Sequence, residues 1–529
     1  MNITGKHLVN GQWTESAGDT FHAVDPSSGK ALSGSFSNAT QDLIDQAFAA
    51  AETAFDQLKW PPFEHVPSLL DAIVKQLTNV RDELIARAQQ ETALPAVPRL
   101  QGEFMRMCAP LKLFAQVVRE GSWVEAIIDT AIPDQTPMPR PDVRRMLHPI
   151  GPVVVFGASN FPLACSACGV DVAAALASGN SVLVKGHPLH PGTSEIIADA
   201  IRAALEQTGL PAGMFSLLQG NEHAVSEYMV RHPSAQAVGF TGSKVAGRHL
   251  YNVAASRDSP VPVFAEMGSV NPMIMLPGML EHHMDRTVEG ICGSVLFGGG
   301  QLCTKPGIIM TTDQDAATNL ANALWDRLSN APDVTLLGSK IQQSYIDSIQ
   351  QMCSQSAATL IGGGQSSGYA NASPAVLLAN GRDLIRSPIL RSEVFGPATI
   401  VVHCSGVDEL VEALHALGGS LTGTVHFDES DDIQTVRQIR DALRSIAGRI
   451  LFAGYPTGVE VCHATIHGGP YPATTIPGST SIGTSAMKRF TRAIAYQDAP
   501  EFALPHALPS DNPQGIMRLV NGHHSRDAL

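Results

Sequence analysis

Cysteine is scarce in this chain: eight among 529 residues, with no spacing that suggests a disulfide framework. The thiols therefore read as reduced. No Lys/Arg-rich block is long enough to follow a phosphate backbone, and the formal net charge is −14, so no nucleic-acid partner is expected. No apolar run reaches the length of a membrane span, and residues 1–7 lack a continuous apolar stretch. No membrane association is expected, and the cytoplasm is the expected location. Charged residues make up only 16% against 44% apolar, which suits a globular enzyme of two to four domains and excludes a disordered chain. Metal-ligand spacing is missing as well. Cys165-Ser166-Ala167-Cys168 has no second pair and small apolar flanks, so it reads as core; His282-His283 and His523-His524 read as solvated pairs. No metal is expected.

What stands out is Phe297-Gly298-Gly299-Gly300-Gln301-Leu302-Cys303-Thr304-Lys305-Pro306-Gly307. Three consecutive glycines give a backbone freedom that a cysteine in a packed core does not need. Cys303 is thus either a nucleophilic thiol held near a ligand or a buried inert one.

Asn10-Gly11 marks a turn in a small antiparallel β region over residues 1–30. Apolar residues at spacings of three and four predict a helix over 40–58, followed by helices over 66–91 and 97–120. Pro133, Pro137, Pro139 and Pro141 forbid a helix over 129–148, leaving an extended arm or an ordinary linker. Over 151–276, apolar runs at 153–156, 181–184, 215–218, 237–240 and 261–264 alternate with helical segments near 162–178, 193–208, 221–231 and 243–256. That alternation predicts a parallel sheet covered by helices, with ligands beyond the strand ends. Asn160, Lys185, Gly242-Ser243 and Glu266 fall at such ends. The usual G-x-G-x-x-G fingerprint is absent, yet Gly242-Ser243 opens a helix whose free amides suit a phosphate, which makes a nucleotide cofactor plausible. A cysteine attacking a carbonyl needs oxyanion donors and, later, a base for water. Asn160 offers an amide N–H and Glu266 a carboxylate; the plainer readings are a helix cap and a surface ion pair.

Phe156-Gly157-Ala158-Ser159-Asn160-Phe161-Pro162, Val184-Lys185, Gly239-Phe240-Thr241-Gly242-Ser243, Glu266-Met267-Gly268-Ser269-Val270-Asn271-Pro272, Gly300-Gln301-Leu302-Cys303 and Glu393-Val394-Phe395-Gly396-Pro397 stand in an order that resembles the NAD(P)-dependent aldehyde dehydrogenase superfamily. The resemblance implies an α/β fold: a Rossmann-type cofactor domain (1–128 and 149–276), an α/β catalytic domain (277–468), a small β oligomerisation arm (129–148 and 469–500) and a C-terminal tail (501–529). It implies that Cys303 attacks a small-molecule aldehyde, that Asn160 and the Cys303 backbone N–H steady the oxyanion, and that hydride transfer to the nicotinamide leaves a thioester. Glu266 would then activate the hydrolytic water. Lys185 would bond the adenosine ribose, Gly242 and Ser243 would face the pyrophosphate, and Glu393 and Phe395 would hold the nicotinamide ribose and ring. Phe156 and Pro188 complete the cofactor set. A homodimer or homotetramer is expected.

Pro188 stands where NAD-preferring relatives carry a glutamate, so NADP is favoured over NAD, with His187 and His190 as neighbours. Lys305 departs from the commoner small or amide residue and is expected to point into solvent. The sequence around 158–164, 264–267 and 468–472 most resembles the branch that oxidises α-ketoglutarate semialdehyde (2,5-dioxopentanoate) to 2-oxoglutarate; a medium- or long-chain fatty aldehyde dehydrogenase using NADP is the alternative. Arg106 and Phe161 are the expected substrate contacts. Acyl transfer to coenzyme A would not need Glu266, and a cofactor-free thiol hydrolase would need a histidine base, for which no motif near Cys303 provides.

Overall fold

At Asn10-Gly11 both residues take positive φ, 48° and 74°, the geometry of a two-residue hairpin turn joining β1 (His7–Val9) to β2 (Gln12–Thr14). In the computed structural model, which describes residues 3–58, 65–354 and 357–529, this hairpin forms one margin of a seven-stranded sheet. The rest are apolar runs: β3 (Val153–Phe156), β4 (Val182–Lys185), β5 (Phe215–Leu218), β6 (Ala237–Thr241) and β7 (Val263–Glu266). They pair in parallel in the order β7-β6-β3-β4-β5, and β1 runs antiparallel to β5. Side chains alternate between two cores: Val153, Val155, Val182 and Val184 pack on one face, Val154, Phe156 and Leu183 on the other. The chain runs from β3 out to β5 and returns to β6 on the far side of β3, so the carboxyl ends of β3 and β6 flank a switch point.

A second seven-stranded sheet contains β8 (Pro272–Met275), β9 (Ile308–Thr311), β10 (Thr359–Gly363), β11 (Ala375–Asn380), β12 (Ala398–His403), β13 (Ser420–His426) and β14 (Ala447–Phe452). Its order is β10-β11-β12-β9-β8-β13-β14, parallel except for β10. The two sheets meet where β7 gives way to β8. Residues 473–475 lie along the outer edge of β7: Met267 N–H donates to the Ala473 carbonyl (2.7 Å) and Thr475 N–H to the Ala265 carbonyl (3.1 Å). This seam carries the later chain to the end of β7.

In a five-stranded sheet, Thr491–Gln497 pairs with Val143–Pro149, which pairs with Ile127–Asp129, then Arg518–Val520 and His523–Ser525. Residues 501–529, expected to be a separate tail, thus supply two of its strands. Asn521 (φ 48°) and Gly522 (φ 83°) close their hairpin by the same turn chemistry as Asn10-Gly11, a signal the sequence reading passed over.

Two helices differ from expectation. The predicted 66–91 helix breaks at Val80 into His65–Asn79 and Arg81–Thr92. The predicted 162–178 helix shrinks to Val170–Ala177, because the Glu103 carboxylate draws residues 163–164 into a turn by accepting from the Leu163 and Ala164 N–H groups (2.8 and 2.9 Å). Glu103 is ion-paired with Arg99, both buried, and Arg99 donates to the Asn160 carbonyl (2.9 Å) while lying over the Phe161 ring. Replacing Glu103 by Ala leaves a buried guanidinium and two amides without their acceptor. A loss of about 3–5 kcal/mol of stability is expected, measured by chemical denaturation.

Candidate active site

Gly298, Gly299 and Gly300 all take left-handed φ (61°, 68° and 69°), a run that residues with side chains resist. At Gly300 a Cβ would meet the Gly396 carbonyl oxygen at 2.3 Å, so the glycine loop before Cys303 is pressed against the segment after Glu393. Asn271, itself at φ 49°, donates its amide to the carbonyls of Cys303 (2.8 Å) and Lys305 (3.0 Å). Its side-chain oxygen accepts from Thr422 and Ser269. The backbone around Cys303 is therefore gripped from both sides. Ser269 is one of the buried residues that hold Asn271.

Cys303, Glu266, Asn160, Arg106 and Phe161 line one cavity of ≈ 50 Å³, together with Cys165, Thr304, Val461, His467 and Ser481. Residues from separate strand ends thus converge as the sequence suggested, and Cys165, read as core, faces the same space. The Asn160 side-chain amide donates to the Gln301 carbonyl (2.7 Å), which leaves its second N–H for a ligand.

His467, not singled out from the sequence, joins Cys303 and Glu266 in this cavity. Its Nε2 lies 3.6 Å from the Cys303 Sγ and 3.0 Å from the Glu266 Oε1. The Ser481 hydroxyl donates to the Glu266 Oε2, and the Ser481 N–H donates to the His467 carbonyl (2.8 Å). No motif near Cys303 carries this histidine; the fold brings it there. His467 is 164 positions away and reaches the thiol only through the seam along β7. Its sole sequence mark is its place before Gly468-Gly469-Pro470.

Burial pushes the Cys303 thiol pKa well above its ordinary value, and the Glu266 charge adds to the effect. For Glu266 burial acts in the opposite sense to its partners. His467 and the hydrogen bonds from His467, Ser481 and Cys303 outweigh burial, so the carboxyl stays below its usual pKa. The resting pair is a thiol beside a carboxylate.

Lys305, expected in solvent, is 3% exposed and donates to the Ala398 carbonyl (2.6 Å). Burial lowers its pKa and raises that of Glu393, each shift opposed by the other's charge. It does not activate the thiol. Glu393 approaches Gly268, where a Cβ would meet its Oε2 at 2.3 Å, and Phe395 is half-buried nearby in sequence.

At the other strand ends, Phe156 packs beside Phe240, and Lys185 is buried with no carboxylate paired to it among the described residues. Burial lowers the Lys185 pKa to about 8. Gly242 and Ser243 are exposed at the open start of the helix Lys244–Ala255, which Ser243 caps. Pro188 lines a cavity of ≈ 490 Å³ with His187 and Lys340. His190 is fully buried, 3.1 Å from the Ala158 carbonyl, and so holds the loop after β3.

Two arginines grip the loop that forms the cavity wall. Arg106 donates to the Val459 carbonyl (2.8 Å), and Arg449, also missed from sequence, donates to those of Gly458 and Pro456 (2.9 and 2.7 Å). Among the described residues neither has a carboxylate partner, and the Arg449 Nε is buried without a hydrogen bond.

The aldehyde dehydrogenase family model matches residues 13–469. The chain is 41% identical to "Alpha-ketoglutaric semialdehyde dehydrogenase 2" of Azospirillum brasilense, over 99% of both chains. It is 40% identical to "Alpha-ketoglutaric semialdehyde dehydrogenase" of Acinetobacter baylyi, over 98% of both. Among solved structures it resembles a Thermus thermophilus 1-pyrroline-5-carboxylate dehydrogenase (TM-score 0.79, 20% identity, 94% of this chain and 93% of that one). It also resembles an NAD+ complex of a Bacillus cereus aldehyde dehydrogenase (TM-score 0.78, 21% identity, 94% and 96%). These likenesses establish the fold.

The raised thiol pKa predicts how Cys303 meets an alkylating agent. In the free protein its reaction with iodoacetamide should still be accelerating above pH 9, where an ordinary thiol levels off. Peptide mapping after timed alkylation, with Cys462 as the exposed internal reference, measures this.

Proposed function

This chain belongs to the aldehyde dehydrogenase family, and from that premise we propose that it oxidises α-ketoglutarate semialdehyde (2,5-dioxopentanoate) to 2-oxoglutarate. The observation that carries the substrate reading is a pair of guanidiniums without carboxylate partners among the described residues: Arg106, which lines the cavity that holds Cys303, and Arg449, which grips the 456–459 loop of its wall from behind. A substrate that already bears a carboxylate supplies the missing anion, and a guanidinium binds it by charge-assisted hydrogen bonds. Phe161, Val461 and Ile482 give the same cavity an apolar side, which is what favours the fatty-aldehyde alternative.

In the reaction, the thiol proton leaves toward the Glu266 carboxylate, to which it is hydrogen-bonded, while the His467 Nε2–H donates to the same carboxylate. Sγ attacks the aldehyde carbon, and the free N–H of Asn160, with the Cys303 backbone N–H, meets the oxyanion. When bound, the nicotinamide cofactor accepts the hydride that this adduct releases. Once the thiol proton has passed from Glu266 to solvent, Glu266, held by the His467 N–H, takes a proton from the water that attacks the thioester. The C–S bond breaks, Glu266 returns its proton to the Cys303 sulfur, and the product acid leaves as its carboxylate with its proton going to solvent. This assigns deacylation to a carboxylate–imidazole pair rather than to Glu266 alone.

The residues present suit the cofactor. The unpaired, buried Lys185 fits a ribose hydroxyl, the exposed amides after Ser243 fit a pyrophosphate, and Glu393 and Phe395 border the nucleophile loop where the nicotinamide end belongs. Pro188 offers no carboxylate to repel a 2′-phosphate, and Lys340 lines the same cavity, so NADP is the preferred form. Thr491–Gln497 is a largely exposed edge strand, which supports a homodimer or homotetramer built across the five-stranded sheet. No described helix is long and apolar enough to cross a membrane. All eight cysteines are unpaired, which suits the reducing cytoplasm.

Turnover of 2,5-dioxopentanoate should exceed that of a long-chain aldehyde with either cofactor, and be higher with NADP than with NAD. In Arg449→Leu, KM for the dioxo acid should rise roughly 10- to 100-fold while the long-chain aldehyde is little affected. Equal or better wild-type activity on the fatty aldehyde would overturn the substrate assignment.

Glu266→Gln should give one burst of reduced cofactor per active site and then stall, as deacylation fails. Steady turnover at the wild-type rate in stopped-flow absorbance would remove Glu266 from the role of base.

A further inference from the structure

Glu266, Cys303 and His467 present one oxygen, one sulfur and one nitrogen, all within 4.8 Å of one another. We propose that these three side chains form a binding site for a borderline-soft divalent cation, zinc above all, and that the ion inhibits the enzyme reversibly by tying nucleophile and base into one complex.

The separations already present decide in favour of a tetrahedral ion. With Zn–S at about 2.3 Å and Zn–N or Zn–O at about 2.0 Å, tetrahedral angles set the S–N edge at about 3.5 Å and the N–O edge at about 3.3 Å. The Sγ–Nε2 separation is 3.6 Å and the Nε2–Oε1 separation 3.0 Å, so these two edges need to change by only a few tenths of an ångström, and all three ligand atoms already lie within 4.8 Å of one another. A mixed thiolate, imidazole and carboxylate set selects zinc or cobalt over magnesium or calcium, which take oxygen ligands. Ser481 holds the other carboxylate oxygen, Oε2, which leaves Oε1 as the ligand and supplies an outer-shell contact. The fourth position opens into the cavity beside Asn160 and Thr304, where a water fits. On binding, the thiol gives up its proton to solvent, the Sγ–metal bond forms, and nothing is oxidised or reduced.

The outer shell also limits the affinity. The His467 Nδ1 is buried and has no hydrogen-bond partner among the described residues, whereas a histidine in a permanent metal centre has its second nitrogen anchored. The site is therefore one that fills and empties with the free concentration of the ion. Binding needs only these three side chains and does not depend on which aldehyde the enzyme oxidises. Inhibition depends on Cys303 being the nucleophile.

Co2+ titrated into the full-length protein reports the site without reference to turnover. A thiolate-to-cobalt charge-transfer band and the strong visible bands of a tetrahedral centre should grow to one ion per chain, and Zn2+ should displace them. Cys303→Ser should abolish the charge-transfer band; His467→Phe and Glu266→Gln should each weaken cobalt binding at least tenfold, with circular dichroism confirming that the variants fold. In the unaltered protein, Zn2+ should shield Cys303 from iodoacetamide and stop turnover, both reversed by EDTA. Absence of the charge-transfer band, or its persistence at full affinity in His467→Phe and Glu266→Gln, would overturn the site. Stoichiometric binding with undiminished turnover would overturn the inhibition and, with it, Cys303 as the nucleophile.

Discussion

The catalytic centre depends on the seam between residues 473–475 and the outer edge of β7. Two backbone hydrogen bonds, from Met267 to Ala473 and from Thr475 to Ala265, fix where the later chain passes the end of that strand. Glu266 lies within this short stretch, so its carboxylate is delivered to His467 and Ser481 by main-chain geometry rather than by a flexible side-chain search. The Glu266 carboxylate is consequently held from two distant parts of the chain. Its covalent anchor is the last strand of the first sheet, while the groups that keep it ionised come from chain that follows the second.

A comparable division holds Cys303. Left-handed backbone over Gly298–Gly300 lets the loop press against Gly396, and Asn271 ties the Cys303 and Lys305 carbonyls from the start of β8. On the opposite side, the buried Arg99–Glu103 pair anchors the turn that carries Asn160 and Phe161. Three independent supports thus surround one small cavity, each using a buried polar group whose partners are almost all backbone atoms. Such partners do not depend on a rotamer and so hold their positions.

Much of the framework could be read in advance because it rests on local signals. Five apolar runs became the parallel strands β3–β7 with small shifts at their ends, and Asn10-Gly11 closed the turn it marked. Asn160, Glu266 and Cys303 fell on strand ends or on the glycine loop and do share a cavity, along with Arg106 and Phe161. What escaped depends on contacts between distant parts of the chain. His467 carries no periodicity and no motif spacing relative to Cys303; only the seam reveals it. Arg449 looks like any polar position on a strand until its two partners in the 456–459 loop, Pro456 and Gly458, are in place. Lys305 was read outward because an isolated lysine prefers water, but the Ala398 carbonyl and the nearby Glu393 offset its desolvation. The 501–529 strands were missed for a different reason: their turn signal was present, and their partners lay nearly 400 positions away, at Ile127–Asp129.

The sulfur at the end of the glycine loop keeps its proton while the protein is idle, because burial and the neighbouring carboxylate both disfavour the thiolate. Peroxides and stray electrophiles react with thiolates far faster than with thiols. A sulfur held as the thiol is the less oxidisable form, so the same burial that encloses Cys303 also slows its oxidation.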